Sequence, residues 1–159
     1  MYTLREGKIE DLPRALELIN ELALYEKAPE QVTNTIAMME ADGFGENPVF
    51  GMFVCEKNGS NEIVGIAIYY YRYSTWKGKR IYLEDLVVTQ SERGQGAGKL
   101  LFDRIMKKGL EENCTGMMWQ VLDWNEPAIN FYRKYGADLE AGWLNAHLQD
   151  YEIKKLLKE

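Results

Sequence analysis

Tyr82-Leu83-Glu84-Asp85-Leu86-Val87-Val88, followed by Arg93-Gly94-Gln95-Gly96-Ala97-Gly98 and a helical pattern from Lys99, is the stretch that decides the fold. An apolar strand runs into a glycine-rich turn and leaves it as a helix. Glycines at 94, 96 and 98 let the backbone turn tightly and approach a ligand closely, while the helix behind them presents unpaired N–H groups and the positive end of its dipole. The segment reads as a phosphate cradle.

Glycine-rich strand-to-helix turns serve dinucleotides, nucleoside triphosphates and coenzyme A alike, so the neighbours must choose. Lys99 is followed by Leu100 rather than Ser or Thr, which disfavours a P-loop. A dinucleotide fingerprint usually sits on the first strand, with an acidic residue about 20 positions on; here the loop comes after more than half the chain. The pattern that fits is Arg93-x-x-Gly96-x-Gly98 followed by Asn125-x-x-Ala128-x-x-Phe131-Tyr132-x-Lys134-x-Gly136. Together these resemble the two halves of the GNAT acetyltransferase signature. The resemblance implies that Arg93, Gly94, Gln95, Gly96, Ala97, Gly98 and Lys99 hold the pyrophosphate of coenzyme A. It also implies that Asn125 and Ala128 flank the pantetheine arm and that Tyr132 is catalytic.

Composition bounds this reading. At 159 residues the chain is long enough to bury roughly 70% of its unfolded surface in one core, and a single domain over 1–159 is expected. No apolar stretch approaches the ~20 residues of a membrane span, and Met1-Tyr2-Thr3-Leu4-Arg5-Glu6 lacks a signal-peptide layout, so a cytoplasmic protein without membrane partners is expected. Cys55 and Cys114 lack metal-ligand spacing and His147 is the only histidine, which excludes a zinc cluster and a histidine-based triad. Both thiols read as reduced and packed. The formal net charge of -6 argues against a nucleic-acid surface and suits a cationic small substrate, although it suits an ordinary solvated surface as well.

Along the chain, Asp11 and Pro13 open a helix with Leu12, Leu16, Ile19 and Ala23 on one stripe, ending near Tyr25-Glu26. Thr33 or Asn34 is expected to cap a second helix through Glu40, broken by Asp42-Gly43-Phe44-Gly45. Val49–Glu56 and Ile63–Tyr73 predict two strands joined by a turn at Asn58-Gly59-Ser60-Asn61, with a third strand at Arg80–Val88. A helix to about Glu112, a strand over Met117–Leu122, a helix over Glu126–Tyr135, a strand over Trp143–Leu148 and a short C-terminal helix complete the reading. The fold class is therefore α/β of the mixed α+β kind, with helices on the faces of a mixed, mostly antiparallel sheet. This is the GNAT order, in which two central parallel strands splay to admit coenzyme A; here they would be Arg80–Val88 and Met117–Leu122.

Resemblance extends beyond the two motifs. Ala23-Leu24-Tyr25-Glu26-Lys27, Ala41-Asp42-Gly43-Phe44-Gly45, Ile68-Tyr69-Tyr70, Tyr82-Leu83-Glu84-Asp85 and Trp124-Asn125-Glu126-Pro127 look like the spermidine/spermine acetyltransferase family. Tyr73-Ser74-Thr75-Trp76-Lys77-Gly78 and Val121-Leu122-Asp123-Trp124-Asn125 are more similar to its thialysine branch. The polyamine branch has an aspartate where this chain has Ser74 and a glutamate where it has Ala141. A long polycation gains from several spaced carboxylates, whereas a shorter amine needs fewer and requires a group for its own carboxylate. Thialysine-like or short diamine substrates are therefore favoured over spermine, and a homodimer joined through the C-terminal strands is implied.

The chemistry assigns roles. A lysine-like amine with a pKa of about 10.4 costs roughly 4 to 5 kcal/mol to deprotonate at neutral pH. Glu84 is the candidate base, Tyr132 the acid that protonates the departing thiolate, and a backbone N–H of Leu86 or Val87, with Val88 beside them, the donor to the carbonyl oxygen. Tyr25, Glu26, Asp85 and Trp143 are candidate amine contacts; on a regular strand Asp85 faces away from Glu84. No covalent intermediate and no metal are needed. Each assignment has a structural competitor: core packing for Tyr132, an ion pair for Glu84, a helix end for Tyr25 and Glu26, a buried aromatic for Trp143, loop stabilisation for Arg93, and an N-cap for Asn125. Two other functions compete, a coenzyme A-binding module without turnover and a protein lysine acetyltransferase. Glu84 and Tyr132 argue against the first, the family resemblance against the second.

Overall fold

The computed structural model describes residues 1–158 and divides the chain into two compact units, Met1–Gln120 and the residues from Val121 onward. In the first unit the elements are β1 (Tyr2–Glu6), α1 (Leu12–Tyr25), α2 (Ile36–Phe44), β2 (Gly51–Lys57), β3 (Glu62–Ser74), β4 (Gly78–Val88), α3 (Ala97–Glu111) and β5 (Met117–Trp119). The strands lie side by side in the order β1-β2-β3-β4-β5, antiparallel except for the parallel β4–β5 pair. This is the mixed sheet with flanking helices that the hydrophobic periods predict. β1 is the unexpected strand. Its five mixed residues carry no clean alternation, and what fixes them is pairing with β2 from Tyr2↔Lys57 to Glu6↔Phe53.

α1 packs on one face of the sheet through Leu12, Ala15 and Leu18, all fully buried, against Met39 of α2 and Met52, Val54, Ile66, Ile68 and Val87 of the strands. Leu16 and Ile19 of the predicted stripe are only partly buried, so the buried stripe lies slightly around the helix from its expected place. Burying each leucine side chain contributes about 1.5 to 3 kcal/mol. On the opposite face α3 buries Leu101, Phe102 and Ile105. It comes so close at Gly109 that an added Cβ would stand 2.8 Å from Ile81 Cγ2.

Three expectations about elements of the first unit need correction. Asp11 precedes α1 but does not cap it: its carboxylate accepts from Arg5 Nη1 at 2.6 Å and from the Lys8 N–H at 2.8 Å. α2 starts later and ends later than expected. Thr35 caps it, accepting the Met38 N–H at 3.2 Å, and the helix runs straight through Asp42-Gly43-Phe44. Gly43 serves as a gap for the Phe50 ring, with which any Cβ would collide. β5 stops at Trp119 instead of Leu122.

The second unit contains α4 (Glu126–Arg133) and α5 (Asp150–Leu157). The strand expected at 143–148 does not form: those residues carry no regular structure and all are exposed. A strand owes its stability to the ladder of a neighbour, and among the described residues none pairs with this segment. No helix among the described residues is long and apolar enough to cross a membrane.

Candidate active site

β4 is the element that positions the acidic residues, and it does so through an irregularity. Its pairing with β3 runs Tyr69↔Leu83 and then Ile68↔Asp85, leaving Glu84 without a partner of its own. Such a bulge shifts the phase of side chains along the strand and re-aims the extra residue. Leu83 therefore shares a face with Tyr69, while Asp85 lies with Ile68 on the face that packs against α1. The regular-strand expectation that Asp85 simply opposes Glu84 gives way to a break in alternation between them. Parallel pairing with β5 also ends here, at Leu83↔Trp119, so Glu84, Asp85, Leu86, Val87 and Val88 extend beyond the last β5 partner.

Glu84 is exposed and Asp85 half-buried. Burial pushes the Asp85 carboxyl up to about 6, and the negative charges of Glu84 and Glu26 add to the rise. Burial likewise raises Glu26, which follows the last residue of α1. Three carboxyl groups from two elements thus share one electrostatic neighbourhood, a setting that favours a bound cation.

Downstream, the glycine turn takes its shape from left-handed backbone. Gly94 has φ 75° and Gly96, the N-cap of α3, has φ 101°; a Cβ at either would meet nothing within 4 Å, so conformation and not crowding requires glycine there. Gly98 has an ordinary φ, and its Cβ would make only normal contact with Val88. Gln95 and Lys99 are exposed, whereas Ala97 is buried at the start of α3. An open, exposed loop at the N-terminus of a 15-residue helix fits a pyrophosphate.

Arg93 holds the loop from within: Nε donates to the Val88 carbonyl at 2.9 Å, and the guanidinium lies 5.1 Å from the Tyr25 ring centroid. Sequence reasoning missed its neighbour Glu92, which is buried, accepts from Tyr2 OH at 2.7 Å and pairs with Lys57 Nζ at 2.5 Å. These contacts join residues 90 and 35 positions apart, and no local pattern signals them.

In the second unit Asn125 is the N-cap of α4, its side chain accepting the Ala128 N–H at 3.3 Å. Tyr132 is buried, with its ring 5.3 Å from Phe131 in an edge-on contact. Phe131 also meets Tyr135 edge-on at 5.4 Å. Trp143 is 86% exposed, so a buried aromatic there is excluded.

Comparison with known proteins identifies the lineage. The model of the acetyltransferase (GNAT) family matches residues 13–137, which include the glycine turn, the Glu84 bulge and Tyr132. The chain is 39% identical over 162 aligned positions to the thialysine N-epsilon-acetyltransferase of Sus scrofa, covering 96% of this chain and 95% of that protein. It is 37% identical to the spermidine/spermine N(1)-acetyltransferase-like protein 1 of Homo sapiens, covering 98% of this chain but 23% of that longer protein. Among solved structures, an aminoglycoside acetyltransferase from an uncultured soil metagenomic sample superposes with a TM-score of 0.76 at 20% identity, over 93% of this chain and 97% of that one.

Proposed function

Because the chain belongs to the GNAT acetyltransferase family and is an N-acetyltransferase, we propose that it moves the acetyl group of acetyl-CoA directly to the primary amine of a small cationic substrate, a thialysine-like amino acid or short diamine. The observation that carries this reading is the bulge. It sets Glu84 apart from the β3 ladder, next to Asp85, which itself feels the charges of Glu84 and Glu26, on the part of β4 that has no β5 partner.

Glu26 and Asp85 draw the substrate ammonium in, and Glu84 accepts its proton, directly or through a water. The thioester supplies an acetyl group already activated for attack. As charge develops on the carbonyl oxygen, an N–H of Leu86 or Val87 donates to it. Tyr132 returns a proton to the departing sulfur, which a neutral phenol can do without prior ionisation. Gly94, Gln95, Gly96, Ala97, Gly98 and Lys99, shaped by Arg93, hold the pyrophosphate, while Asn125 and Ala128 flank the pantetheine arm and Tyr25 and Trp143 border the amine. No enzyme nucleophile is required: burial pushes the Cys55 thiol up to about 11, which keeps it inert at neutral pH.

The whole chain acts as one domain in this reading, since the family match runs through both compact units. A cytoplasmic location agrees with two free thiols, Cys55 and Cys114. A homodimer would cover Trp143, Leu144 and Leu148, which are 86%, 95% and 57% exposed in the single chain. Light scattering at micromolar concentration giving only the 18.4 kDa mass would rule the dimer out. The function itself is tested by thiol release from acetyl-CoA with thialysine, lysine, putrescine, spermidine, spermine and a lysine peptide. The highest kcat/KM is expected for thialysine; preference for spermine or for the peptide would reassign the acceptor.

A further inference from the structure

Beyond the bulge, the β3–β4 ribbon carries an arrangement that acetyl transfer to a plain amine leaves unused. Tyr70 stands opposite Tyr82 and Arg72 opposite Arg80. Cross-strand partners share a face and these pairs are two residues apart, so one face presents two phenol rings and then two guanidinium groups. The rings are 5.0 Å apart, and the Arg72 guanidinium is 6.0 Å from the Tyr82 centroid.

Like charges directly opposite one another weaken a ladder, and neither arginine forms an ion pair among the described residues. Arg80 donates Nη2 to the Met117 carbonyl at 3.3 Å, while its Nε is buried without a hydrogen-bond partner among the described residues. Arg72 is exposed and makes no hydrogen bond or ion pair among the described residues. Two cations held together beside a carboxylate cluster leave room for an anion at one end of a substrate whose other end is a cation.

We propose that Arg72, supported by Arg80, is a carboxylate subsite that makes this enzyme select an amino acid bearing a distal primary amine over a plain diamine or polyamine. The inference rests on the amine-acetyltransferase reading of the same face and names what selects within it. Arg80 and Glu84 are four positions apart, roughly 13 Å along a regular strand. Both end residues carry long side chains that can reach into this span. The tyrosine pair lies between, and both phenols sense Glu84 from one side and Arg72 from the other. A guanidinium offers a carboxylate two parallel hydrogen bonds. It repels a second ammonium at the same place, which excludes polyamines by the same contact.

The test compares thialysine with bis(2-aminoethyl) sulfide, its decarboxylated counterpart, in wild type, Arg72→Ala and Arg72→Lys, by thiol release from acetyl-CoA. Wild type is expected to prefer thialysine. Arg72→Ala is expected to lose about ten- to a hundredfold in kcat/KM for thialysine, mainly through KM, the size of one charge-assisted contact. Its kcat/KM with the diamine is expected to rise, since the repulsion of the second ammonium goes with the guanidinium, its KM for acetyl-CoA and its Tm to hold, and Arg72→Lys to fall between. An equal loss on both amines, or no loss on thialysine, overturns the proposal. A wild-type preference for the diamine overturns it while the acetyltransferase reading stands. Acetylation of neither amine removes the amine reading, and the subsite with it.

Discussion

Glu84 and Asp85 are neighbours on β4, yet only Asp85 has a partner in the adjacent strand: Ile68 faces it, and Glu84 bulges out between the Leu83 and Asp85 rungs. The two carboxylates consequently sit in different surroundings, one exposed and one half-buried. Burial, reinforced by Glu84 and Glu26, raises Asp85 from its ordinary 3.8 to about 6. A carboxyl whose pKa is higher in the fold than in the unfolded chain favours folding below the lower value. That advantage is lost as pH rises through the upper one. Asp85→Asn is therefore expected to stabilise the protein at pH 8 by about 1 to 3 kcal/mol, with the gain fading below pH ~4 where both side chains are neutral. Denaturant melts at both pH values decide it; a gain that does not change with pH would show that Asp85 is not buried as a charge. The same variant should raise KM for the amine, because the cation loses one carboxylate.

In the proposed mechanism Glu84 and Tyr132 act on different protons, so their variants should fail differently. Glu84→Gln removes the acceptor of the ammonium proton and is expected to lower kcat/KM for the amine by roughly 10² to 10⁴. Raising the pH should partly restore it, since more of the amine then arrives unprotonated. Tyr132→Phe removes the donor to the leaving sulfur, so kcat should fall with little change in either KM, and higher pH should not rescue it. Steady-state kinetics from pH 7 to 10 separate the two; full turnover by Tyr132→Phe would end its assignment as the acid.

The glycine turn and the strands beside it are legible in the sequence because their signals are local. The glycine turn is six consecutive residues, and its required conformations, φ 75° at Gly94 and 101° at Gly96, are ones that glycine adopts without strain. β3 and β4 announce themselves by β-branched and aromatic residues. The bulge at Glu84 is different in kind, since it depends on the register of two strands and nothing in Tyr82-Leu83-Glu84-Asp85 marks it. Glu92 escapes notice for the same reason: its partners Tyr2 and Lys57 come from β1 and β2. The strand expected at 143–148 shows the reverse error, in which a propensity for extended structure was present without a neighbour to pair with.

Gly96→Ala tests the glycine turn. The added methyl group meets no neighbour, so any effect must come from the backbone angle. Holding a non-glycine residue in that region costs of order 1 to 3 kcal/mol, and the turn is expected to relax to another conformation in order to avoid it. KM for acetyl-CoA should then rise at least several-fold while KM for the amine stays unchanged. An unchanged KM for acetyl-CoA would mean that the pyrophosphate does not depend on this turn.

Gly43 gives the opposite contrast, a glycine required by space and not by angle. It lies within α2, where replacing glycine by alanine ordinarily stabilises a helix by about 1 kcal/mol. Here the new Cβ would enter the ring of Phe50, whose edge-on partner Phe44 is on the same helix at 6.5 Å. Overpacking of this kind costs typically about 1 to 3 kcal/mol, which exceeds the propensity gain. Gly43→Ala is expected to lower Tm, and Gly43→Ala combined with Phe50→Leu to recover part of the loss by returning room to the helix. Stabilisation by the single variant would show that the Phe50 ring yields and that helix propensity, not packing, decides at Gly43.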